Sequence, residues 1–387
     1  MQILRGLGCV TLATILWIGS LRVWFSPSME ALAEPLARRQ LALWQPDAER
    51  ELAASLDQLR RTNPEWDLMA RMFAALAFAN LALRDPGQRA TYLATMDRII
   101  DRTLADVARD GTHGFLLAYS RDRPFVDSAG TSIFIEGELA LMLAARQLVE
   151  RDPARVELAR TWVQRATEHL ERGPVLLAES YPDEVWLFCN TVALAAIRLH
   201  DVGEGAPDRH ARLFARWVAT AKATIADPRT GLLAAKTTLA GHVLEGPEGS
   251  TLWVAAVMLR MVDDDFARAQ YAAARAALRG SFAGFGWARE WPATHLGRDD
   301  IDSGPTIPIV GANAGASGLA LIAARAFDDD VFARELTRSL RLAAFPVHGG
   351  ERYAAGNQLA DAAVLYAAVS GPLWERAMST DTREVAE

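Results

Sequence analysis

The sequence is poor in the residues that build disulfides and metal sites. Only two of its 387 residues are cysteines, Cys9 and Cys189, and seven are histidines. The cysteines lie in separate apolar segments, so a disulfide between them is implausible, and no HExxH motif or close cluster of histidine and cysteine occurs. We therefore predict no bound metal, and we interpret Cys189 as a small buried hydrophobe rather than a nucleophile.

The chain also lacks a Walker loop and a dinucleotide fingerprint, so we predict no nucleotide cofactor. The glycine-rich stretch 311–318 is not preceded by a strand, and we place it inside an apolar helix. The net charge is −7, and arginines alternate with acidic residues instead of forming a basic face. This pattern excludes nucleic acid as an expected partner.

What the sequence does contain is a repeated pairing of helices. With 51% apolar and 23% charged residues, it predicts one large helical domain. Leucine-rich or aromatic turns precede apolar helices at intervals of about 50 to 60 residues, which is the mark of a repeat architecture. The predicted inner, apolar helices are Trp66 to Leu83, Thr131 to Glu150, Val185 to His200, Ser250 to Met261, Pro308 to Phe327 and Gln358 to Val369.

Each inner helix alternates with an amphipathic helix whose charged face predicts an outer position. The predicted outer helices are Glu30 to Arg61, Gln88 to Arg109, Pro153 to Arg172, Asp208 to Asp227, Asp263 to Arg279 and Asp329 to Leu342. The loops that enter the inner helices are longer than those that leave them. We expect these long loops to gather on one rim and to carry the function.

The amino-terminal segment from Ile3 to Phe25 is apolar and is followed by Ser26-Pro27-Ser28. It is an export signal or a membrane anchor, and its length favours an uncleaved anchor. A small-residue cleavage site at Ala31-Leu32-Ala33 is the alternative. Either form predicts a location in the cell envelope, with the body in the periplasm or exported.

The six predicted helix pairs resemble the six-hairpin (α/α)6 toroid of glycoside hydrolases, polysaccharide lyases and the linalool dehydratase/isomerase family. The resemblance rests on repeat count and loop placement, and it implies an all-α (α/α)6 toroid over residues 28–375. Residues 1–27 form the anchor or signal segment, and residues 376–387 are predicted to be a disordered tail.

The rim loops are rich in acidic and aromatic residues, which suggests a carbohydrate site. Paired carboxylates in a partly dry funnel acquire unequal pKa values, so one can donate a proton while the other accepts one. The candidate catalytic acids are Asp183, Glu184, Glu290, Asp300 and Asp302. The candidate substrate-binding residues are Tyr181, Trp186, Trp287, Trp291, His348, Glu351, Tyr353 and Asn357. Structural alternatives are a helix cap at Asp183 and an Asx turn or bound cation at Asp300 and Asp302.

The leading prediction is a membrane-tethered glycoside hydrolase acting on a poly- or oligosaccharide, with a lyase as a variant. A second prediction is an isoprenoid dehydratase, isomerase or cyclase, which requires a dry, mostly apolar pocket with few acids. The number of acids at the rim argues for the first. A third is a glycan-binding scaffold, which needs aromatic platforms but no pair of unequal carboxyls.

Overall fold

The computed structural model describes residues 2–111, 113–293 and 303–379. These residues are mostly helical. The inner helices are α4 (Glu65–Arg84), α6 (Ile133–Val149), α8 (Leu187–Gly203), α10 (Gly249–Leu259), α12 (Ala314–Ala326) and α14 (Gln358–Val369). The outer helices are α2 (Met29–Leu43), α3 (Glu49–Thr62), α5 (Arg89–Asp110), α7 (Pro153–Arg172), α9 (Ala211–Thr224), α11 (Asp264–Leu278) and α13 (Asp330–Ala343). Helices α1 (Gln2–Trp24) and α15 (Pro372–Met378) lie outside this alternation.

The inner helices form a closed ring. Each packs against the next in the chain, and α14 returns to pack against α4. Every residue of α6 is buried, as expected for a helix covered by neighbours on both sides and by an outer helix behind it. Closure leaves no apolar end exposed. The predicted (α/α)6 toroid is confirmed.

Two helix boundaries predicted from the sequence are wrong. The first outer element is two helices, because the chain leaves α2 at Trp44 and passes through a short 3-10 turn, Pro46–Ala48, that begins at a proline. The inner helix predicted from Pro308 begins at Ala314 instead. Asn313 caps it by accepting a hydrogen bond from the amide of Ala316 at 2.7 Å.

The rim loops form short antiparallel sheets at the amino-terminal ends of the inner helices. The strands are β1 (Val185–Trp186), β2 (Lys236–Thr237), β3 (Val243–Glu245), β4 (Arg279–Phe282), β5 (Phe285–Ala288), β6 (Thr306–Ile307), β7 (Ala312–Asn313), β8 (Pro346–Val347) and β9 (Arg352–Tyr353). They make three sheets, ordered β1-β2-β3, β4-β5-β7-β6 and β8-β9. The second sheet packs along α13.

A buried ionic cluster joins α4 to α5. Arg71, which has no exposed surface, is hydrogen-bonded to Asp67 at 2.8 Å and paired with Asp106 at 2.7 Å. Arg60 contacts both carboxylates from α3. Each buried charge thus has a partner of opposite sign, as a charge away from water requires.

Helix α15 closes the end of the ring opposite the rim loops. It contacts α4, α6 and α8, and the amide of Leu373 donates to the side chain of Asn80 at 3.1 Å. The helix includes Arg376, which was predicted to begin the tail, while residues 380–387 lie outside the described part of the chain.

In the described part of the chain, two helices are long and apolar enough to cross a membrane. Helix α4 passes this test on composition but is largely buried in the ring, so it is a core helix. The other span, Ile3–Trp24 within α1, has no buried residue. The alternative cleavage site lies within α2, where Leu32 and Ala33 are buried in the core.

Candidate functional site

A cavity of about 400 Å³ lies at the amino-terminal ends of the inner helices. All six contribute to its wall, for example through Glu65, Phe134, Cys189, Thr251, Leu319 and Ala360 in ring order. Outer helix α13 adds Leu336 and Leu340. Because six helix amino termini surround it, the aligned helix dipoles favour negative charge in the cavity.

The cavity wall is mostly apolar, and several of its polar side chains are committed to the protein. The hydroxyls of Ser250 and Thr251 donate to acidic side chains, and that of Ser317 donates to a backbone carbonyl at 2.6 Å. The side chain of Asn357 accepts from the amide of Ala360 at 3.0 Å and so caps α14. These three hydroxyl protons and this amide oxygen are therefore not free to bind the hydroxyls of a ligand.

Two carboxyl groups meet at the start of α10. Glu248 lines the cavity, and Glu290 lies behind it, 1% exposed, in hydrogen-bond contact with Glu248. The Ser250 hydroxyl and amide donate to Glu290 Oε1 at 2.5 and 3.1 Å. Burial raises the pKa of Glu290, and the hydrogen bonds from Ser250, Ser303 and Glu248 oppose the rise. Burial therefore favours the protonated form of Glu290 in this pair.

The backbone brings Glu290 to this position. Strand β5 ends at Ala288, and the carbonyl of Glu290 accepts from the amide of Gly249 at 2.6 Å. A Cβ at position 249 would lie 2.4 Å from the carbonyl oxygen of Arg289, so only glycine permits this approach.

A third carboxyl, Glu65, lies across the ring from this pair. It is in the first turn of α4, and α4 and α10 are opposite members of the ring. Its Oε1 accepts from the Tyr181 hydroxyl at 2.5 Å, and Tyr181 in turn accepts from the Leu117 amide at 3.0 Å. Burial and the Glu65 charge raise the pKa of Tyr181, so the phenol stays a donor. This contact stabilises the ionised form of Glu65.

Glu138 lies on α6, one turn beyond the cavity-lining Phe134. It is completely buried, and neither carboxyl oxygen has a hydrogen-bond partner among the described residues. Burial and then the charge of Glu65 raise the pKa of Glu138 well above its usual range. Burial also raises the pKa of Cys189, so that thiol at the cavity wall remains protonated. Glu138 is thus a neutral acid beneath the cavity.

Five of the predicted site residues lie in or next to the cavity. Trp186, Tyr353 and Asn357 line it, Glu290 supports Glu248, and Tyr181 holds Glu65. Burial raises the pKa of Tyr353 to about 12.

The other described candidates do not line it. The Asp183 side chain accepts from the amide of Leu239 at 3.2 Å instead of capping α8, which begins after Trp186. Glu184 accepts from Tyr119 at 3.0 Å and pairs with Arg123 at 3.4 Å.

The remaining predicted residues are on the rim or beyond the described residues. The Trp287 indole donates to the Val310 carbonyl at 3.0 Å, Glu351 pairs with Arg38 at 3.4 Å, and His348 is exposed. Trp291, half-buried, is also absent from the cavity wall described. Asp300 and Asp302 lie outside the described residues, as does Asp299.

Glu65, Glu138 and Glu248 are not among the catalytic acids predicted from the sequence. Glu65 follows Pro64 at the start of an apolar helix, and Glu248 immediately precedes one. An acidic residue beside the start of α4 and of α10 was the available signal, but helix capping explains the same pattern. Among the described residues, no three histidine, cysteine, aspartate or glutamate side chains are arranged to hold a metal ion.

The sequence matches one family model, and several solved structures have a similar fold. A model of the linalool dehydratase/isomerase family matches residues 159–359, more than half of the chain. No curated protein matches the sequence.

Solved structures with similar folds include a possible member of the GH105 family from Salmonella enterica subsp. enterica serovar Paratyphi A str. ATCC 9150. It is 16% identical, with a TM-score of 0.49, over 78% of this chain and 82% of that one. The GH76 alpha-mannanase of Bacteroides thetaiotaomicron is 11% identical, with a TM-score of 0.49, over 80% of this chain and 86% of that one.

Proposed function

The chain belongs to the linalool dehydratase/isomerase family, and from this premise we propose that it removes, adds or relocates a hydroxyl group on a small, largely hydrocarbon alcohol. The observation that carries the proposal is a mostly apolar cavity with carboxyl groups on opposite sides. These reactions need only proton transfers, which carboxyl groups carry out by general acid–base catalysis.

The size and lining of the cavity support a compact apolar substrate. At about 400 Å³ the cavity is near the lower end of the range for small-molecule sites, roughly 300–1,000 Å³, and an alcohol of about ten carbons fits it. The aromatic rings of Trp66, Phe134 and Phe188 supply apolar contact and stabilise a cation that develops on the substrate.

The acid in this mechanism is the pair formed by Glu248 and Glu290. Its proton passes to the substrate hydroxyl, the carbon–oxygen bond breaks with its electrons on oxygen, and water leaves. Glu65, ionised and held by Tyr181, then takes a proton from the neighbouring carbon, so that a double bond forms. The products are an alkene and one water, and proton exchange with water restores both carboxyl groups.

Isomerisation uses the same groups. If the water that has left attacks the other end of an allylic cation, a proton returns to the acid pair and the hydroxyl has moved. A dry cavity favours this outcome because it retains one water and excludes others.

Glycosidic cleavage, the leading prediction from the sequence, remains the second candidate. The retained proton on Glu290 and Glu248 also suits a glycosidase acid. A sugar, however, needs partners for several hydroxyls, and the wall hydroxyls of Ser250, Thr251 and Ser317 already donate within the protein. The apolar wall therefore favours the dehydratase or isomerase.

The test is product analysis with the full-length chain purified in detergent. Linalool, its primary allylic isomer and a panel of oligosaccharides are incubated separately, and the products are identified by mass. We expect a hydrocarbon lighter than the alcohol by one water, or an alcohol of unchanged mass. Shortened oligosaccharides with unchanged alcohols would replace this proposal with the glycosidase.

Carboxamide variants locate the chemistry. Glu248→Gln, Glu290→Gln and Glu65→Gln should each lower kcat by about 10²–10⁴. Glu351→Gln is the matched control, since Glu351 is a rim carboxylate that pairs with Arg38 and does not line the cavity. Full turnover by all three cavity variants, with unchanged melting temperature, would assign the proton transfers elsewhere.

A further inference from the structure

The cavity is bordered by exposed apolar residues on one side. Pro305 lines the cavity, and after it come Ile307, 58% exposed, and Ile309, 95% exposed. Ala344 also lines the cavity, and Phe345 beside it is 63% exposed. We call Ile307, Ile309, Val310, Leu342 and Phe345 the apolar rim. Exposed apolar side chains clustered beside a binding site usually mark a surface that contacts a partner.

The end of helix α1 contacts the elements that bear this rim. Ser26, two residues after α1, accepts a hydrogen bond from Arg338 of α13 at 2.7 Å. The same arginine donates to the carbonyl of Gly284 at 3.0 Å, in the turn between β4 and β5, and Arg22 of α1 lies against that glycine. Helix α1 therefore joins the body beside α13, whose opposite face lines the cavity.

Helix α1 has the length and surface of a membrane span. None of the 22 residues of Ile3–Trp24 is buried, and about 20 apolar residues cross the hydrocarbon core of a bilayer. Trp24, 82% exposed, lies at the body end, where tryptophan favours the membrane–water interface. The surface of a bilayer crossed by α1 would therefore lie close to the β4–β5 turn, to which Arg338 donates a hydrogen bond.

Charges near the rim suit a phospholipid surface. Arg22 and Arg352 are exposed and available to phosphate groups. Two acids in this region are already paired, Glu335 with Arg279 at 2.6 Å and Glu351 with Arg38 at 3.4 Å. Pairing reduces the repulsion that these carboxylates would have with an anionic surface.

We propose that the apolar rim rests in the bilayer crossed by α1, so that the cavity opens toward the acyl chains and receives its substrate from the lipid. The docking of the rim follows from its position relative to α1. The delivery of substrate rests on the proposed function, because only an apolar alcohol concentrates in a bilayer.

Site-specific quenching tests the docking without measuring catalysis. The full-length chain carrying Cys9→Ser receives one further substitution, Ile309→Cys, Phe345→Cys or Val331→Cys, and an environment-sensitive fluorophore on the new thiol. Each is reconstituted into vesicles of phosphatidylethanolamine and phosphatidylglycerol that contain a phospholipid spin-labelled on its acyl chain. Val331 is the matched control, because it is 51% exposed but lies at the far end of α13, about 18 Å from the rim end.

We expect quenching at positions 309 and 345 to be several-fold stronger than at 331. Equal quenching at all three positions, or none at 309 and 345, would overturn the docking. Because the signal requires no turnover, a chain that fails to convert alcohols but shows this difference refutes the proposed reaction and keeps the docking.

Discussion

Removing the Ser250 hydroxyl should move the pH dependence of the reaction toward higher pH. This hydroxyl donates to Glu290 Oε1 at 2.5 Å, and such a bond stabilises the ionised carboxylate more than the acid. In Ser250→Ala the ionised form loses that stabilisation, so the pKa of the Glu248 and Glu290 pair rises. The proposed acid must be protonated to act, and activity is therefore lost only at a higher pH.

The size of the shift follows from the strength of one hydrogen bond to a charged group. Such a bond contributes about 1.5–3 kcal/mol, and 1.36 kcal/mol corresponds to one pKa unit. The Ser250 amide at 3.1 Å remains in the variant and limits the change. We expect the alkaline limb of the kcat–pH profile to move to higher pH by about 1 to 2 units. The profile is measured with linalool or with the alcohol that the product analysis identifies.

A second hydroxyl deletion distinguishes this effect from a general loss of packing. Thr167, on outer helix α7, donates to the carbonyl of Val163 at 2.8 Å and contacts no cavity carboxyl. Thr167→Ala should leave both the acidic and the alkaline limb of the kcat–pH profile at the wild-type pH. If the alkaline limb of Ser250→Ala stayed fixed or moved to lower pH, the carboxyl pair would not be the acid.

Three further predictions concern stability. Arg71→Met should lower the free energy of unfolding in urea by about 3 kcal/mol or more, because Asp106 stays buried without this partner of opposite charge. Arg109→Ala removes an exposed partner of the same carboxylate and should change the urea midpoint little. Equal effects of the two substitutions would contradict the burial argument. Burial raises the pKa of Asp361 to about 7, against roughly 3.9 in the unfolded chain. Relative to Asp361→Asn, the wild type should therefore lose stability as pH rises from about 4 to about 7, by at most about 1.4 kcal/mol per pH unit. Parallel curves of unfolding free energy against pH for the two proteins would contradict this. Glu138→Met should raise the free energy of unfolding by about 1–3 kcal/mol in the same assay, because it replaces a buried carboxyl that has no hydrogen-bond partner among the described residues. A less stable variant would indicate that the carboxyl does have such a partner.

The ring was predictable because burial dictates the composition of its helices. A helix covered on both sides, such as α6, is apolar on most of its surface, and one facing water, such as α7, alternates charge with leucine and alanine. The start of α12 was not predictable from composition. Small residues before Asn313 suit a helix equally well, and only the pairing of β7 with β5 and β6 makes them strand.

The site was predicted less well than the fold. Acidic residues in rim loops looked alike in the sequence, but tertiary contacts direct them differently: Glu290 turns inward to Ser250, while Glu184 turns outward to Tyr119. The sequence did not distinguish Glu65 from an ordinary acid at a helix start, because its partner, Tyr181, lies 116 residues away. No local pattern reports a hydrogen bond of that range.

The contact between α14 and α4 has a consequence for biosynthesis. The first inner helix of the ring meets the last, so the early helices emerge from the ribosome with one flank uncovered until the carboxyl-terminal helices follow. Such long-range contacts slow folding, because the chain must bring distant segments together before they stabilise one another. A ring of this kind therefore completes its fold only after synthesis, which is compatible with passage across a membrane as an unfolded chain.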